Sequence, residues 1–395
     1  MLYSIPTLPE SYLQVVASID DVRRRLRYSL QQQPRRWEGL LRRSTFARAI
    51  QASNRIEGYH VTVDDAIAAV EGEDPLEERT EAWRAVQGYR QALSYILQLA
   101  TDPYFSHNEG TLRSLHYMMM GYDTSKRPGL WRPGAIFVRQ EPTGQVVYEG
   151  PPAESVPQLI GALVGALNAD TTLPVMVRAA LAHLNLVMIH PFSDGNGRMA
   201  RALQTLVLAR EGLLDPTFSS IEEYLGHNTQ AYYAVLAEVG QGAWHPQHDP
   251  LPWIRFCLIA HYRQAETLLR RTHEQEQLWN LLEAELKNRK LHERLLMALS
   301  DAAVGYRVRN VIYRHAADVT EGVASRDLGS LVDQGMLAAR GEKRGRYYVA
   351  SDWLRDARAS VRAPKAITDP FTGDVVLSQR SHSTGDSRSS RAQDE

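Results

Sequence analysis

The sequence predicts a mainly α-helical protein, a helical bundle that carries a β-hairpin and is followed by a winged helix-turn-helix unit. Three observations lead there. Apolar residues recur at helical spacing from about Asp21 to Ala100, and again from the segment GPPAESVPQLI to about Ala265. Strand-like runs are concentrated between Trp131 and Tyr148. Beyond residue 292 the pattern becomes compact, with three short helical runs and then two short strand-like runs. The implied organisation is an N-terminal helical region over 1–105, a central unit over 106–275, a winged helix-turn-helix over 276–352 and a disordered tail over 353–395.

Each element has a local reason. A helix running from about Leu40 stops at Gly58, a residue suited to ending helices. AIFVRQ and QVVY flank EPTG, whose Pro142 and Gly144 suit a turn, so the pair reads as a hairpin. The stretch from Glu283 to Arg294 is heavily charged and reads as a solvated connecting helix. RLLMALS, YRVRNVIYRH and VASRDLGSLVDQGML then supply three helices, and LAAR and RYYVA supply two strands joined by the basic turn GEKRG. The Ser-rich, charged end of the chain lacks the apolar residues of a packed core.

Composition bounds the function. The chain of 395 residues carries 45 Lys and Arg against 46 Asp and Glu, so no global field draws it to nucleic acid or membrane. Its lone cysteine, Cys257 in an apolar run, excludes an intramolecular disulfide and a cysteine-rich metal site. No stretch reaches the roughly 18 uninterrupted apolar residues of a membrane span. MLYSIPTLPESYLQ has neither the basic start nor the apolar run of a signal peptide, so a cytoplasmic location is expected.

The densest chemistry lies in HPFSDGNGRMAR, His190 to Arg201, directly after the apolar run LAHLNLVMI. The first helix should end near His190, because Pro191 disfavours helical geometry in the residue before it. The next starts around Asn196 or Gly197, buries Met199, Leu203, Leu206 and Val207, and stops at Gly212. The SDGNG between them is a glycine-rich loop opening a helix, whose converging N–H groups and dipole make an anion cradle. Arg198 and Arg201 lie three apart, so both guanidinium groups stand near that cradle, which suits a polyphosphate. Asp194 suits a divalent cation, because Mg²⁺ takes one or two carboxylates plus substrate oxygens. His190 can accept a proton from an incoming hydroxyl. Together these residues fit nucleotidyl or phosphoryl transfer from a bound nucleotide.

A second constellation is QASNRIEG, where Ser53 and Glu57 are four apart on one helical face. Glu57 stands at the negative end of its helix, which disfavours a carboxylate by about 0.3–1 kcal/mol unless a cation meets it. It is either a solvated end residue or held by a partner elsewhere.

HPFSDGNGRMAR resembles, at every defined position, the signature of Fic-domain proteins, His-Pro-Phe-any-Asp/Glu-Gly-Asn-Gly-Arg-any-any-Arg. The resemblance extends over about residues 40 to 265. It implies a mostly helical Fic fold and transfer of AMP from ATP to a Ser, Thr or Tyr hydroxyl of a target protein, or of the enzyme itself. By it, His190 is the general base. Asp194 holds Mg²⁺ (or Mn²⁺), Gly195, Asn196, Gly197 and Arg198 bind the phosphates, Arg201 positions the γ-phosphate, and Phe192 is a core anchor. SNRIEG is similar to the family's inhibitory helix, in which Glu57 pairs with Arg201 beside Ser53, and the same glutamate in some relatives supports removal of AMP. The hairpin lies where the family has its target-holding flap, so Ile136, Phe137 and Val138 offer an extended edge to a protein segment.

The competing reading is a winged-helix regulator with a catalytically silent nucleotide-binding domain. Residues 281–350 hold twelve Lys and Arg against nine Asp and Glu, a difference of +3, so DNA binding through Arg326, Lys343, Arg344 and Arg346 and a protein-interaction role both stay open. A homodimer also stays open.

Overall fold

The computed structural model describes residues 1–31, 37–72, 80–140, 143–169, 171–214, 219–342 and 345–377. The N-terminal half forms α1 (Glu10–Gln31), α2 (Trp37–Ile56), α3 (Val63–Glu71), α4 (Glu81–Thr101) and α5 (Glu109–Met120). A two-stranded antiparallel ribbon follows, β1 (Phe137–Gln140) with β2 (Gln145–Glu149). Next come α6 (Val156–Asn168), α7 (Val175–Ile189), α8 (Asn196–Arg210), α9 (Glu222–His227), α10 (Thr229–Gly240) and α11 (Leu251–Asn288). The chain continues through α12 (Leu295–Ala303), α13 (Asn310–Ala317), α14 (Glu321–Asp333), the antiparallel pair β3 (Leu337–Arg340) and β4 (Tyr347–Ala350), α15 (Asp352–Ser360), and the ribbon β5 (Ala366–Thr368) with β6 (Val375–Leu377). Several helices start on the side chains that favour starts: Thr62, Thr80, Asn108, Thr320 and Ser351 each accept from the N–H three residues on.

α7 and α8 sit at the centre. α7 is apolar on nearly every face, as its run VMVRAALAHLNLVMI dictates, and buries Ala180, Leu184 and Ile189 in a core it shares with α8, α6 and α11. α8 buries Met199, Leu203, Leu206 and Val207, but also Asn196, Arg198, Arg201, Gln204 and Thr205. Polar groups buried at that density need dedicated partners. One set is His183 of α7, whose ring nitrogens meet Gln204 at 2.7 Å and the Tyr232 hydroxyl at 3.0 Å.

A second core lies among α11, α12, α14, β3, β4 and α15, and it reaches back to Leu26 and Leu30 of α1 and Leu41 of α2. Ion pairs tie the same region to the N-terminal half, with Arg43 to Asp301 at 3.1 Å and Arg307 to Asp64 at 2.9 Å. The boundary expected at 275/276 therefore falls inside α11, a single helix of 38 residues. The charged stretch expected as a separate connecting helix at 283–294 is partly its last turns. Leu282 and Leu286 are buried there, because the charges cover only the outer face.

The tail expected to be disordered from residue 353 is also corrected. α15 buries Leu354, and the ribbon beyond it packs through Phe371 on the Arg255 guanidinium and the edge of Tyr12. A few apolar anchors hold a segment whose average composition is that of a solvated tail. Residues 378–395 lie outside the described residues, as do Glu141, Pro142, Lys343 and Arg344 of the two turns. Among the described residues no helix is long and apolar enough to cross a membrane.

Three imidazoles are buried and neutral. Burial pushes His116 down to about 4 and His183 and His261 down to about 3. The unfolded chain takes up protons at these positions near pH 6.5 while the folded chain does not, so their contribution is complete above that pH and is lost as pH falls. Each weakens the fold by up to about 1.4 kcal/mol per pH unit in that window. Asp301, pushed up to about 6 by burial, works in the opposite sense, but His107, pushed down to about 4, adds to the three imidazoles. The melting temperature is expected to drop between about pH 7 and about pH 5, and a rise over that interval would contradict the assignment.

Candidate active site

α7 ends at Ile189, and His190 turns left-handed with φ 51° while its N–H still donates to the Leu186 carbonyl at 3.0 Å. Pro191 excludes the helical conformation here, and histidine is among the residues that tolerate this one. The His190 Nδ1 lies 3.0 Å from the Val187 carbonyl, which can only accept. The proton therefore sits on Nδ1 and leaves Nε2 with a free lone pair, the form a general base needs. Burial lowers the imidazole from its ordinary value, against the Val187 carbonyl and with help from Arg132, so the neutral base persists into mildly acidic solution.

The loop between the helices is clasped from within. Asn196 Oδ1 accepts from the Phe192 N–H and its Nδ2 donates to the Phe192 carbonyl, both at 2.9 Å. Asn196 is expected as a phosphate ligand, and here its side chain holds this clasp, with its oxygen and one amide N–H engaged by Phe192. Phe192 is buried and stacks on His116 at 3.7 Å between ring centroids. His116 Nδ1 accepts from the Gly129 N–H, which leaves Nε2–H to donate to the Asp194 carbonyl at 2.9 Å. Gly195 takes φ 75°, and no side chain caps α8, so the helix start stays open to an anion.

Arg198 and Arg201 stand at that opening, each 1% exposed. Arg201 donates Nε to Ser53 Oγ at 2.7 Å, and Nη2 to the Ser53 carbonyl at 3.0 Å and to Glu57 Oε1 at 2.6 Å. Burial opposes its charge, but the Glu57 carboxylate outweighs that and raises the guanidinium further. A Cβ built on Gly197 would lie 2.4 Å from Glu57 Oε1, so the carboxylate occupies the space that the missing side chain leaves over the first turn of α8. Arg198 lies over the Tyr59 ring at 4.9 Å and donates to Met120 Sδ at 3.0 Å. Its Nε and Nη1, and Nη1 of Arg201, are buried without a partner among the described residues. Orphaned guanidinium donors at an open helix start fit phosphate oxygens.

Asp194 accepts from the Gly195 N–H at 2.6 Å and meets Lys126 Nζ at 2.9 Å. Burial works against its ionisation, but the ammonium and the amide outweigh it and hold the carboxyl below the usual range. Among the described residues no three His, Cys, Asp or Glu groups could hold a metal ion. A divalent cation at Asp194 must complete its shell from phosphate oxygens and water, the ordinary habit of Mg²⁺, and it contests the place of the Lys126 ammonium.

The ribbon β1–β2 flanks His190. The Gly150 N–H donates to the Ile136 carbonyl at 3.1 Å, and a Cβ on Gly150 would lie 3.7 Å from that of His190. Phe137 is exposed and Val138 half-buried, and the outer edge of β1 has no strand beside it among the described residues. Arg132 fixes this entrance by donating to the His190 carbonyl at 2.8 Å, to Gly134 at 2.6 Å and to Pro151.

Residues 105–208 match the Fic/DOC family. The matched stretch runs from the loop before α5 into α8 and includes the ribbon and the whole of HPFSDGNGRMAR. Curated relatives include a probable protein adenylyltransferase of Aquifex aeolicus, 28% identical over 196 residues, which are 47% of this chain and 57% of the relative. The protein adenylyltransferase fic-1 of Caenorhabditis elegans is 40% identical over 106 residues, 26% of this chain and 18% of that protein. The protein adenylyltransferase Fic of Nematostella vectensis is 28% identical over 231 residues, 56% of this chain and 48% of its own length. The chain thus spans between a fifth and three fifths of these relatives. Among solved structures, a Fic family protein from Desulfovibrio desulfuricans superposes with a TM-score of 0.57 at 23% identity, covering 89% of this chain and 98% of that one. A Fic domain containing signaling protein from Bacteroides thetaiotaomicron gives 0.54 at 24% identity over 65% and 96% of the two chains. These two likenesses are of fold.

The structure brings His190, Asp194, Gly195, Gly197, Arg198 and Arg201 to one helix start, with Ser53 of α2 and Glu57 just beyond it seated there. His116, Lys126, Tyr59 and Arg132 join them without any signal in the sequence reading. Only their chemistry hinted at them, since each is far from the motif along the chain.

Proposed function

We propose that the chain is a protein adenylyltransferase that moves AMP from ATP to a Ser, Thr or Tyr hydroxyl of a protein, itself included, and that Glu57 holds it silent by occupying Arg201. One observation carries this reading. A histidine with a free Nε2 stands beside an open helix start whose two buried arginines keep three donor atoms unpaired. Such a site takes a polyphosphate and a hydroxyl together.

In the reaction, Nε2 of His190 takes the hydroxyl proton as the oxygen bonds to the α-phosphorus, and pyrophosphate leaves. The α8 N–H groups, Arg198 and Arg201 hold the triphosphate so that attack is in line. When bound at Asp194, Mg²⁺ or Mn²⁺ supplies charge neutralisation between neighbouring phosphates. The free edge of β1 at Phe137 and Val138, with Ile136 just before it, registers the target segment by main-chain hydrogen bonds. Removal of AMP with the aid of Glu57 is a second activity of the same site. Incubation of the protein with α-labelled ATP and a cell lysate, in wild-type and Glu57→Gly forms, tests the reading. Chelation of divalent cations is expected to stop transfer and Mg²⁺ or Mn²⁺ to restore it, and undiminished transfer in chelator would remove Asp194 from its metal role.

The elements α12, α13, α14, β3 and β4 support a winged helix-turn-helix reading, with exposed Arg326 on α14 and exposed Arg346 beside β4. We propose weak DNA binding through phosphates there. If about three phosphates are met, affinity for duplex DNA falls about 40-fold between about 50 mM and about 200 mM salt. Flat salt dependence, or unchanged binding by Arg326→Ala/Arg346→Ala, would leave protein recruitment as the role. Under the alternative reading, a regulator with a silent Fic domain, Glu57→Gly releases no transfer at all.

A further inference from the structure

Away from the Fic motif, a cavity of about 340 Å³ opens where α2, α11, α15 and the turn after α12 converge. That volume is at the small end of ligand pockets, enough for a mononucleotide. Arg48, Arg270, Arg271, Arg358, Arg362 and Lys365 stand on its walls, against Glu274 as the acid among the lining residues.

The carboxylates nearby are already committed. Glu274 takes Arg270 and the Ala363 N–H, the latter at 3.0 Å. Glu223 takes both Arg271 nitrogens, at 2.7 and 2.8 Å, and reaches Arg48 only at 4.0 Å. Arg358 donates to the Ala303 carbonyl, and Arg362 and Lys365 are exposed. Burial, together with the charges of Arg362 and Arg48, pushes the Arg358 guanidinium down to about 10, the mark of cations short of an anion. Gln275 adds an independent sign. It is 7% exposed, lines the cavity, and its Nε2 has no partner among the described residues. A buried amide with two unused N–H groups in a basic cavity is a donor without an acceptor. Leu41, Leu278 and Val304 give the same cavity an apolar floor.

We propose that this cavity binds a phosphorylated small molecule of nucleoside-diphosphate size, its phosphates met by Arg358, Arg362, Lys365 and Gln275 and its apolar or planar part by Leu41 and Leu278. An occupant also touches Arg48 and Ser44 of α2, the helix that carries Ser53 and Glu57. The binding proposal is independent of the transfer reaction.

Fluorescently labelled ADP and GDP, titrated into the full chain without divalent cations, are the probes. Saturable binding is expected, at least about tenfold weaker in Arg362→Glu/Lys365→Glu, whose exposed positions leave the fold intact. In wild type the probe should slow amide exchange in α15 and residues 361–365. Arg198→Gln, which alters the Fic site, should leave both effects in place. Binding that survives the charge reversal but is lost in Arg198→Gln would place the probe in the Fic site and overturn the proposal. So would the absence of saturable binding at millimolar probe.

Discussion

Replacing Glu57 by Gly should raise AMP transfer at least about tenfold over wild type on the same target with Mg²⁺ saturating. That gain corresponds to only about 1.4 kcal/mol of barrier. The geometry supplies a larger lever. Arg201 gives Nη2 to Glu57 at 2.6 Å, and the carboxylate fills the space above Gly197, so on the proposed function a γ-phosphate would be denied both its cation and its room. Without Glu57, Nε and Nη2 of Arg201 keep Ser53, and its remaining donors turn to phosphate. Removing Glu57 leaves a buried arginine with fewer partners, but Glu57 itself is 24% exposed and Ser53 still holds Arg201, so the variant should melt somewhat lower yet work faster. ATP should stabilise it more than wild type, because only there does the triphosphate replace the lost anion. Arg201→Ala in the Glu57→Gly background should return activity toward silence. Equal activity of wild type and Glu57→Gly would reduce SNRIEG to a helix end.

His190→Ala should abolish transfer while leaving ATP binding largely intact. Nε2 is free only because Nδ1–H is held by the Val187 carbonyl, and alanine removes both. General-base catalysis contributes about 10²–10⁴-fold, and the loss should reach that scale. The pH profile is a finer test. Burial lowers this imidazole, so the acid limb of the rate should lie below the ordinary histidine value of about 6.5. Transfer by His190→Ala at the Glu57→Gly rate, read as a mass shift on the protein itself, would sink the assignment.

Legibility followed distance along the chain. HPFSDGNGRMAR was readable because its loop, helix start and arginines are neighbours in sequence, and Pro191 and Gly195 dictate the turn locally. Ser53 and Glu57 were readable as a pair for the same reason, since helical spacing puts them on one face. Their meeting with Arg201 followed from the family resemblance alone. His116, Lys126 and Tyr59 were invisible, because packing of α5, the loop after it and the turn after α2 against the start of α8 brings them in, and no local pattern encodes that packing. The side chain of Asn196 is placed by tertiary contacts. Its type suits a ligand, but the tertiary turn spends both ends of its amide on Phe192. The ribbon at Ala366–Leu377 was missed because averaging over a Ser-rich tail hid its anchor Phe371.

The vacancy at Gly197 has one more consequence. If, as proposed, a phosphate of the substrate claims the volume that the Glu57 carboxylate fills at the end of α2, then α2 would behave as a competitor on a tether. Its strength is then an effective concentration, set by how rigidly α2 is presented, and millimolar values are ordinary for tethered groups. Restraint of this kind grades with the supply of ATP, and loosening α2 anywhere along its 20 residues weakens it without any change at the carboxylate itself.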